Sequence, residues 1–304
     1  MRDYSLLIGN GINNISEGHS WADVLNSLED EFRVTINTQD KPFPLAYEEI
    51  YFGVLKTQRD GFSENEIKKF IANKINTIKP NEIHEKIVGL ACNDIMTTNY
   101  DLAFECCLDN TLSSERLRNE GKVKESKYNV FRYHEINTRK IWHIHGALNS
   151  PASITLGYEH YSGYLQSMRS YTTTGSQYAE MLFEKPLTRR LKTGDTGYSW
   201  IDNFFTKDIY IVGLNLDFVE IDLWWLLTFR ERTRLINRTG IVVSNRVTYY
   251  IPRCYHDDPA TRPKIELLKS VGVIINADFG AAFQGREKEY YLAVIKHIDE
   301  QTGG

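Results

Sequence analysis

Short apolar runs of strand length alternate with amphipathic stretches along most of this chain, and that alternation constrains the fold more than any other feature. The runs are residues 4–8, 92–97, 140–145, 208–212, 247–251 and 271–275, and helical periodicity follows at 218–234, 261–270 and 286–300. Continuous apolar runs of this length suit strands buried on both faces. Strand then helix, repeated, means a parallel sheet with helices packed on both sides. The predicted class is α/β with a Rossmann-like parallel sheet.

Four of the runs end in residues that a core does not need. Ile95-Met96-Thr97 passes into Thr98-Asn99-Tyr100-Asp101, read as a buried strand followed by a helix over 99–107 whose N-terminus faces whatever lies above the sheet. Ligands of open parallel sheets sit at the carboxyl ends of the strands, so Asn99 and Asp101 stand where polar side chains converge on a ligand. The competing reading is that one of them only caps the helix. After residues 4–8 comes Gly9-Asn10-Gly11-Ile12-Asn13-Asn14. Two glycines there allow a tight turn and close approach to a phosphate, with a helix end supplying free N–H groups. This is half of a dinucleotide fingerprint, because Asn14 stands where the third glycine belongs and no strand precedes the acidic residues at 29–31. A plain turn is the alternative. The run 140–145 ends in Trp142-His143-Ile144-His145-Gly146. Alternation puts both histidines on one face, and Gly146 lets the chain turn away and leaves His145 exposed at the strand end. The alternative is a hydrogen-bonded structural histidine. The last, at 208–212, ends in Gly213-Leu214-Asn215.

At 304 residues the chain is long enough for one large domain with an insertion. The expected organisation is a single domain over 1–304 with a helical insertion at about 20–89 and an aromatic helical segment at about 157–204. In the insertion Trp21, Val24, Leu25 and Leu28 share one face, Tyr47, Ile50, Tyr51, Val54 and Leu55 a second, and Ile67, Phe70, Ile71, Lys74, Ile75 and Ile78 a third. Residues 113–127 read as a solvated helix and loop, and 129–134 as a strand turning through 135–138 into the next. With a net charge of −4 and basic residues interleaved with acidic ones, nothing suggests a nucleic-acid footprint. The first apolar run is too short for a signal peptide and no run approaches a membrane span, so a cytoplasmic location is expected. Cys92, Cys106, Cys107 and Cys254 form no C-x-x-C pair, which argues for packing roles and no metal.

Gly9-Asn10-Gly11-Ile12-Asn13, Thr97-Thr98-Asn99-Tyr100-Asp101, His145-Gly146 and Val212-Gly213-Leu214-Asn215 come in the order of the sirtuin motifs. The chain resembles the sirtuin-like NADases of bacterial anti-phage defence more than the protein deacylases. The resemblance covers the sheet motifs and not the helical insertion or the aromatic segment. It implies that Gly9, Asn10 and Gly11, with Ile12 and Asn13, line a nucleotide phosphate loop. It also implies that Asn99 holds the nicotinamide ribose and the attacking water, Asp101 the carboxamide, and that His145 acts as base or ribose-hydroxyl partner. Gly213 and Asn215 would face the adenosine half. Thr98 stands where the deacylases carry Gln, and the cysteine pairs that follow the histidine in most of them are missing here. Their absence argues against deacylation and leaves the NAD pocket intact.

The expected activity is cleavage of NAD+ to nicotinamide and ADP-ribose, with NAD+ as substrate, no metal, and NAD depletion in abortive infection as the biological purpose. A cationic nicotinamide is a good leaving group, so positioning and exclusion of water matter more than strong acid catalysis. A module that senses NAD or ADP-ribose without turnover is the second reading, and a deacylase or ADP-ribosyltransferase the third. Control is expected from a homo-oligomer or a separate regulatory protein, such as a ring-shaped ATPase, docking on the insertion around 46–78 or the Tyr-rich stretch at 158–178.

Overall fold

The computed structural model describes residues 3–15, 20–38, 41–57, 62–122, 127–178, 181–183, 185–236 and 240–303. Seven strands form the main sheet: β1 (Tyr4–Ile8), β2 (Asp94–Thr97), β3 (Tyr133–Ile136), β4 (Arg139–His143), β7 (Asp208–Val212), β8 (Val247–Tyr250) and β9 (Val273–Asn276). Their order is β3-β4-β2-β1-β7-β8-β9, parallel throughout except for the edge pair β3 and β4. The chain winds outward from β1 through β2 and β4, then returns to place β7 on the other side of β1. That reversal makes the β1/β7 boundary the topological switch point, where ligands of doubly wound sheets bind.

Alternation along the strands feeds two cores. Leu7, Met96, Trp142, Ile209 and Ile211 point to one face and meet α6 (Tyr158–Arg169), α8 (Trp200–Thr206), α9 (Ile221–Ile236) and α11 (Arg262–Ser270) through Tyr164, Phe204, Leu223, Leu226 and Leu268. Leu6, Ile8, Ile95, Ile141 and Val212 point to the other and meet α4 (Glu82–Gly89), α5 (Ala103–Leu108) and α12 (Glu287–Thr302) through Ile83, Ile87, Phe104 and Val294. A third core belongs to α1 (Trp21–Phe32), α2 (Phe43–Thr57) and α3 (Glu64–Ile75), whose apolar stripes close on Tyr100, Leu102, Leu148 and Ile154 at the carboxyl edge of the sheet. Three of the four insertion helices therefore roof the strand ends, while α4 is an ordinary helix of the sheet. Ser20 starts α1 by accepting from Asp23 N while Asp23 Oδ2 accepts from Ser20 N at 2.9 Å, a reciprocal cap. The short helices α7 (Leu187–Arg190) and α10 (Arg253–His256) are connectors.

Several boundaries differ from the sequence expectations. The strand expected at 129–134 runs instead from Tyr133 to Ile136, its end set by Asn137 and Thr138, both at positive φ (50° and 70°), which make a two-residue hairpin turn that pairs Ile136 with Arg139. No helix occurs in the described part of 113–127, where residues 123–126 lie outside the described residues. The aromatic segment contains a small antiparallel hairpin, β5 (Ser176–Tyr178) with β6 (Met181–Phe183), that helical periodicity did not suggest. Tyr161, Tyr164 and Tyr171 are buried, so in this stretch they are packing residues, and only Tyr158 of the four is exposed. The side chain of Tyr178 lies outside the described residues.

Candidate active site

The loops after β1, β2, β4 and β7 meet at the switch point, latched by backbone bonds. Gly9 N donates to Val212 O at 3.0 Å and Gly11 N to Gly213 O at 2.8 Å. A Cβ on Gly9 would lie 2.5 Å from Gly213 O, so the first need for this glycine is the contact between two loops. The helix end expected beyond it is a single 3-10 turn over Asn10–Ile12, and the N–H groups of Gly9 and Gly11 bond Val212 O and Gly213 O at the end of β7. Gly213, at φ 68°, supplies the reverse turn on the other side.

The loop after β2 is equally tied down. The expected helix at 99–107 begins only at Ala103, which leaves Thr98 to Leu102 as loop. Asp101 Oδ1 accepts from Ala103 N at 3.0 Å, so the capping reading holds for that oxygen, while Oδ2 accepts from Asn13 Nδ2 at 2.8 Å and ties this loop to the first. Asn99 donates through its N–H to Thr97 Oγ1 at 3.0 Å and through Nδ2 to Gly9 O at a long 3.4 Å. Its Oδ1 is buried and has no hydrogen-bond partner among the described residues. A buried acceptor left open at the end of a strand is a place for a ligand or ordered water.

The two histidines part company. Read as one strand through residue 145, alternation puts both on one face; the strand instead ends at His143, and Ile144 and His145 lie in a turn made possible by Gly146 at φ 101°. His143 points to α5, where its Nε2 lies 2.6 Å from Glu105 Oε1. His145 points to α9, where its Nε2 lies 2.8 Å from Asp222 Oδ2, with Tyr161 and Tyr164 edge-on at 5.2 and 5.9 Å. Asp222 is fully buried. With Nε2–H donating to the carboxylate, the lone pair is left on Nδ1, the tautomer assigned from this partner.

His145 opens on a cavity of about 210 Å³ also lined by Asn10, Gly11, Thr98, Tyr100, Tyr161 and Glu220. Across Gly11, Asn14, Gly213, Leu214 and Asn215 this space continues into a cavity of about 550 Å³ walled by Tyr249, Tyr255, Phe283 and Tyr291. The two form one cleft across the switch point, aromatic at its wide end and carrying the histidine at its narrow end. Asn99 and Asp101 line a side pocket of about 20 Å³ with Asn10 and Trp21, room for a water-sized group. Ile12 is buried in the core beneath the first loop and lines none of these spaces, and Asn13 acts through its bond to Asp101.

Sequence reasoning missed three groups here. Asp222 and Glu220 lie at the start of α9, where acids complement the helix dipole, yet three carboxylates within residues 217–222 exceed what one helix start needs, which was the available signal. Burial, with Asp222 and Asp217 adding like charge, pushes the Glu220 carboxyl up to about 8. Trp21, Phe43 and Pro44 of the insertion also wall the cavity, although that segment read as plain core. Glu105, His134 and His143 are the group of described side chains whose donor atoms converge within 4.8 Å as a metal site would require. His134 Nδ1 and His143 Nε2 each lie 2.6 Å from Glu105 Oε1, which is hydrogen-bond spacing; two ligands of one tetrahedral zinc lie about 3.3 Å apart.

A family model for the SIR2-like domain matches residues 93–205, a span from just before β2 into α8 that contains Asn99, Asp101 and His145. The match supports a Sir2-like relationship and an NAD-related function in general. No curated protein matches the chain. No helix among the described residues is long and apolar enough to cross a membrane.

Proposed function

We propose that the cleft binds NAD+ and hydrolyses it to nicotinamide and ADP-ribose. The observation that carries this reading is the pairing of His145 with the buried Asp222 at the narrow end of a cleft whose two parts hold about 210 and 550 Å³, the larger walled by aromatic residues. The C1′–N bond breaks with its electron pair moving to the pyridinium nitrogen, so nicotinamide leaves neutral and the ribose becomes an oxocarbenium ion. Water adds to C1′ and loses a proton to His145 Nδ1, directly or through a ribose hydroxyl, and that proton then passes to solvent. Asn99 Oδ1, held open by the bonds to the rest of that residue, accepts from the water or a ribose hydroxyl. Asp222 keeps the imidazole in the basic tautomer and stabilises the imidazolium that forms. Asp101 retains lone pairs beyond those used by Ala103 and Asn13, and these suit a carboxamide N–H. The test is to incubate purified protein with NAD+ and quantify free nicotinamide and ADP-ribose. Asn99→Ala should lose turnover, and a wild type that binds NAD+ unchanged for hours would leave the sensor reading in its place.

NAD depletion in anti-phage defence, with cleavage gated by self-assembly or by a partner such as a ring-shaped ATPase, is the context we infer for such an activity. A constitutive NADase would exhaust its own host. Among the described residues of these two stretches and their edges, Leu45 and Phe52 of α2 and Tyr158 of α6 are exposed, while Tyr161 and Tyr164 of α6 are buried. Light scattering across a dilution series, with turnover measured on the same samples, tests this. A strict monomer with full activity at every concentration would contradict it.

A further inference from the structure

The polar network on the face of β4 away from the cleft takes no part in the chemistry above, yet it ends on a residue that does. His143 is buried and both ring nitrogens are engaged: Nδ1 lies 3.2 Å from the Asn99 carbonyl oxygen and Nε2 2.6 Å from Glu105 Oε1. A carbonyl oxygen only accepts, so Nδ1 carries a proton, and a second proton lies between Nε2 and the carboxylate. The same Glu105 oxygen accepts from His134 Nδ1 at 2.6 Å, and Asn149 Nδ2 donates to His134 Nε2 at 3.3 Å. The groups facing His143 are thus Glu105 from α5, His134 from β3, and Asn99 and Asp101 from the loop after β2. Burial works against the imidazolium, but Glu105 outweighs it, with the Asn99 carbonyl and Asp101 adding, and His143 is held above its ordinary range.

A buried ion pair is a poor way to gain stability compared with apolar packing. What this one touches gives it another use. Asn99 is fastened through its N–H by Thr97, through its carbonyl by His143 and through Nδ2 by Gly9, and these three bonds leave only Oδ1 open. We propose that His143, charged by Glu105, is a positioning residue that clamps the Asn99 peptide so that Oδ1 is presented ready-oriented to the scissile end of the substrate. This rests on the assignment of Asn99 to NAD+ cleavage. It gives the two histidines of one strand end separate tasks, one on the cavity and one on the backbone that frames it.

The test compares wild type with Glu105→Gln and His143→Gln by steady-state nicotinamide release, with imidazole nitrogen NMR on the apo protein. The expected result is a kcat lower by about 10- to 100-fold, the scale seen when orienting partners are removed, with KM within about threefold. The wild-type His143 ring should be an imidazolium at pH 7 and above, and neutral at pH 7 after Glu105→Gln. A wild-type His143 that is neutral at pH 7, or folded variants with kcat within twofold of wild type, would overturn the clamp. If Glu105→Gln fails to fold, His143→Gln and the wild-type spectrum decide it. A wild type that releases no nicotinamide removes the cleavage reading instead, and the imidazole spectrum then judges the clamp alone.

Discussion

His143 and His145 leave one strand end two residues apart, and each rests on a buried carboxylate, yet they answer to opposite faces of the sheet. His145 meets Asp222 on α9 and lines the cleft. His143 meets Glu105 on α5 and spends both nitrogens on protein. On the proposed mechanism the two pairs differ in what each ring meets besides its carboxylate, the cleft for His145 and the Asn99 carbonyl for His143. The turn at Ile144, allowed by Gly146, is what sends the two rings apart.

The largest effect expected from breaking this comparison is at His145. His145→Ala should lower kcat by about 10²- to 10⁴-fold, the usual share of a general base, in a nicotinamide-release assay on folded protein. Next comes Asp222→Asn, which keeps the shape of the partner but permits the wrong tautomer; about a 10²-fold loss in kcat with NAD+ affinity within a few-fold is expected, read by calorimetry beside kinetics.

On the other face the difference should appear as stability against pH. Contacts with His143 and His134 overcome desolvation and hold Glu105 down at about 2, and the same pairing holds His143 up. A depressed carboxylate contributes above its unfolded value of about 4.3 and loses that as pH falls toward 2; a raised histidine contributes below its unfolded value of about 6.5 and loses that as pH rises through the folded value. Melting curves of wild type and Glu105→Gln should therefore differ most between about pH 4.5 and 6.5 and converge toward both extremes. A constant gap from pH 3 to 9 would contradict the ion pair. The smallest effect is at Glu220, whose folded carboxyl stays protonated up to about 8 while the unfolded chain ionises earlier. That raised value costs stability above the unfolded range, so Glu220→Gln should raise Tm by about 2 °C or more at pH 7 and leave it unchanged at pH 4.

The α/β class and the order of the strand-end motifs were legible because buried parallel strands announce themselves as short stretches dominated by apolar residues, as at residues 6–8 of β1 and 209–212 of β7. The end of β3 was not, because its hairpin turns on positive φ at Asn137 and Thr138, and Thr is a poor signal for such a turn. In the candidate site, Asn99 and His145 could be named from their place at strand ends. Asp222 could not be matched to His145, since 77 residues separate them and only the folded chain sets α9 beside the turn after β4. The role of Gly9 was legible as a need for glycine, but the neighbour that requires it, Gly213, lies on another strand. Asp101 shows the capping reading at one oxygen, which accepts from the first N–H of α5, while the other holds Asn13.

The most direct test of the account is a side-by-side turnover measurement on His145→Ala and His143→Ala, with NAD+ binding and fold checked on the same preparations. The account predicts that His145→Ala binds NAD+ and releases nicotinamide about 10²- to 10⁴-fold more slowly than wild type, while His143→Ala loses less of its rate. A dead His143→Ala beside a near-normal His145→Ala would contradict it.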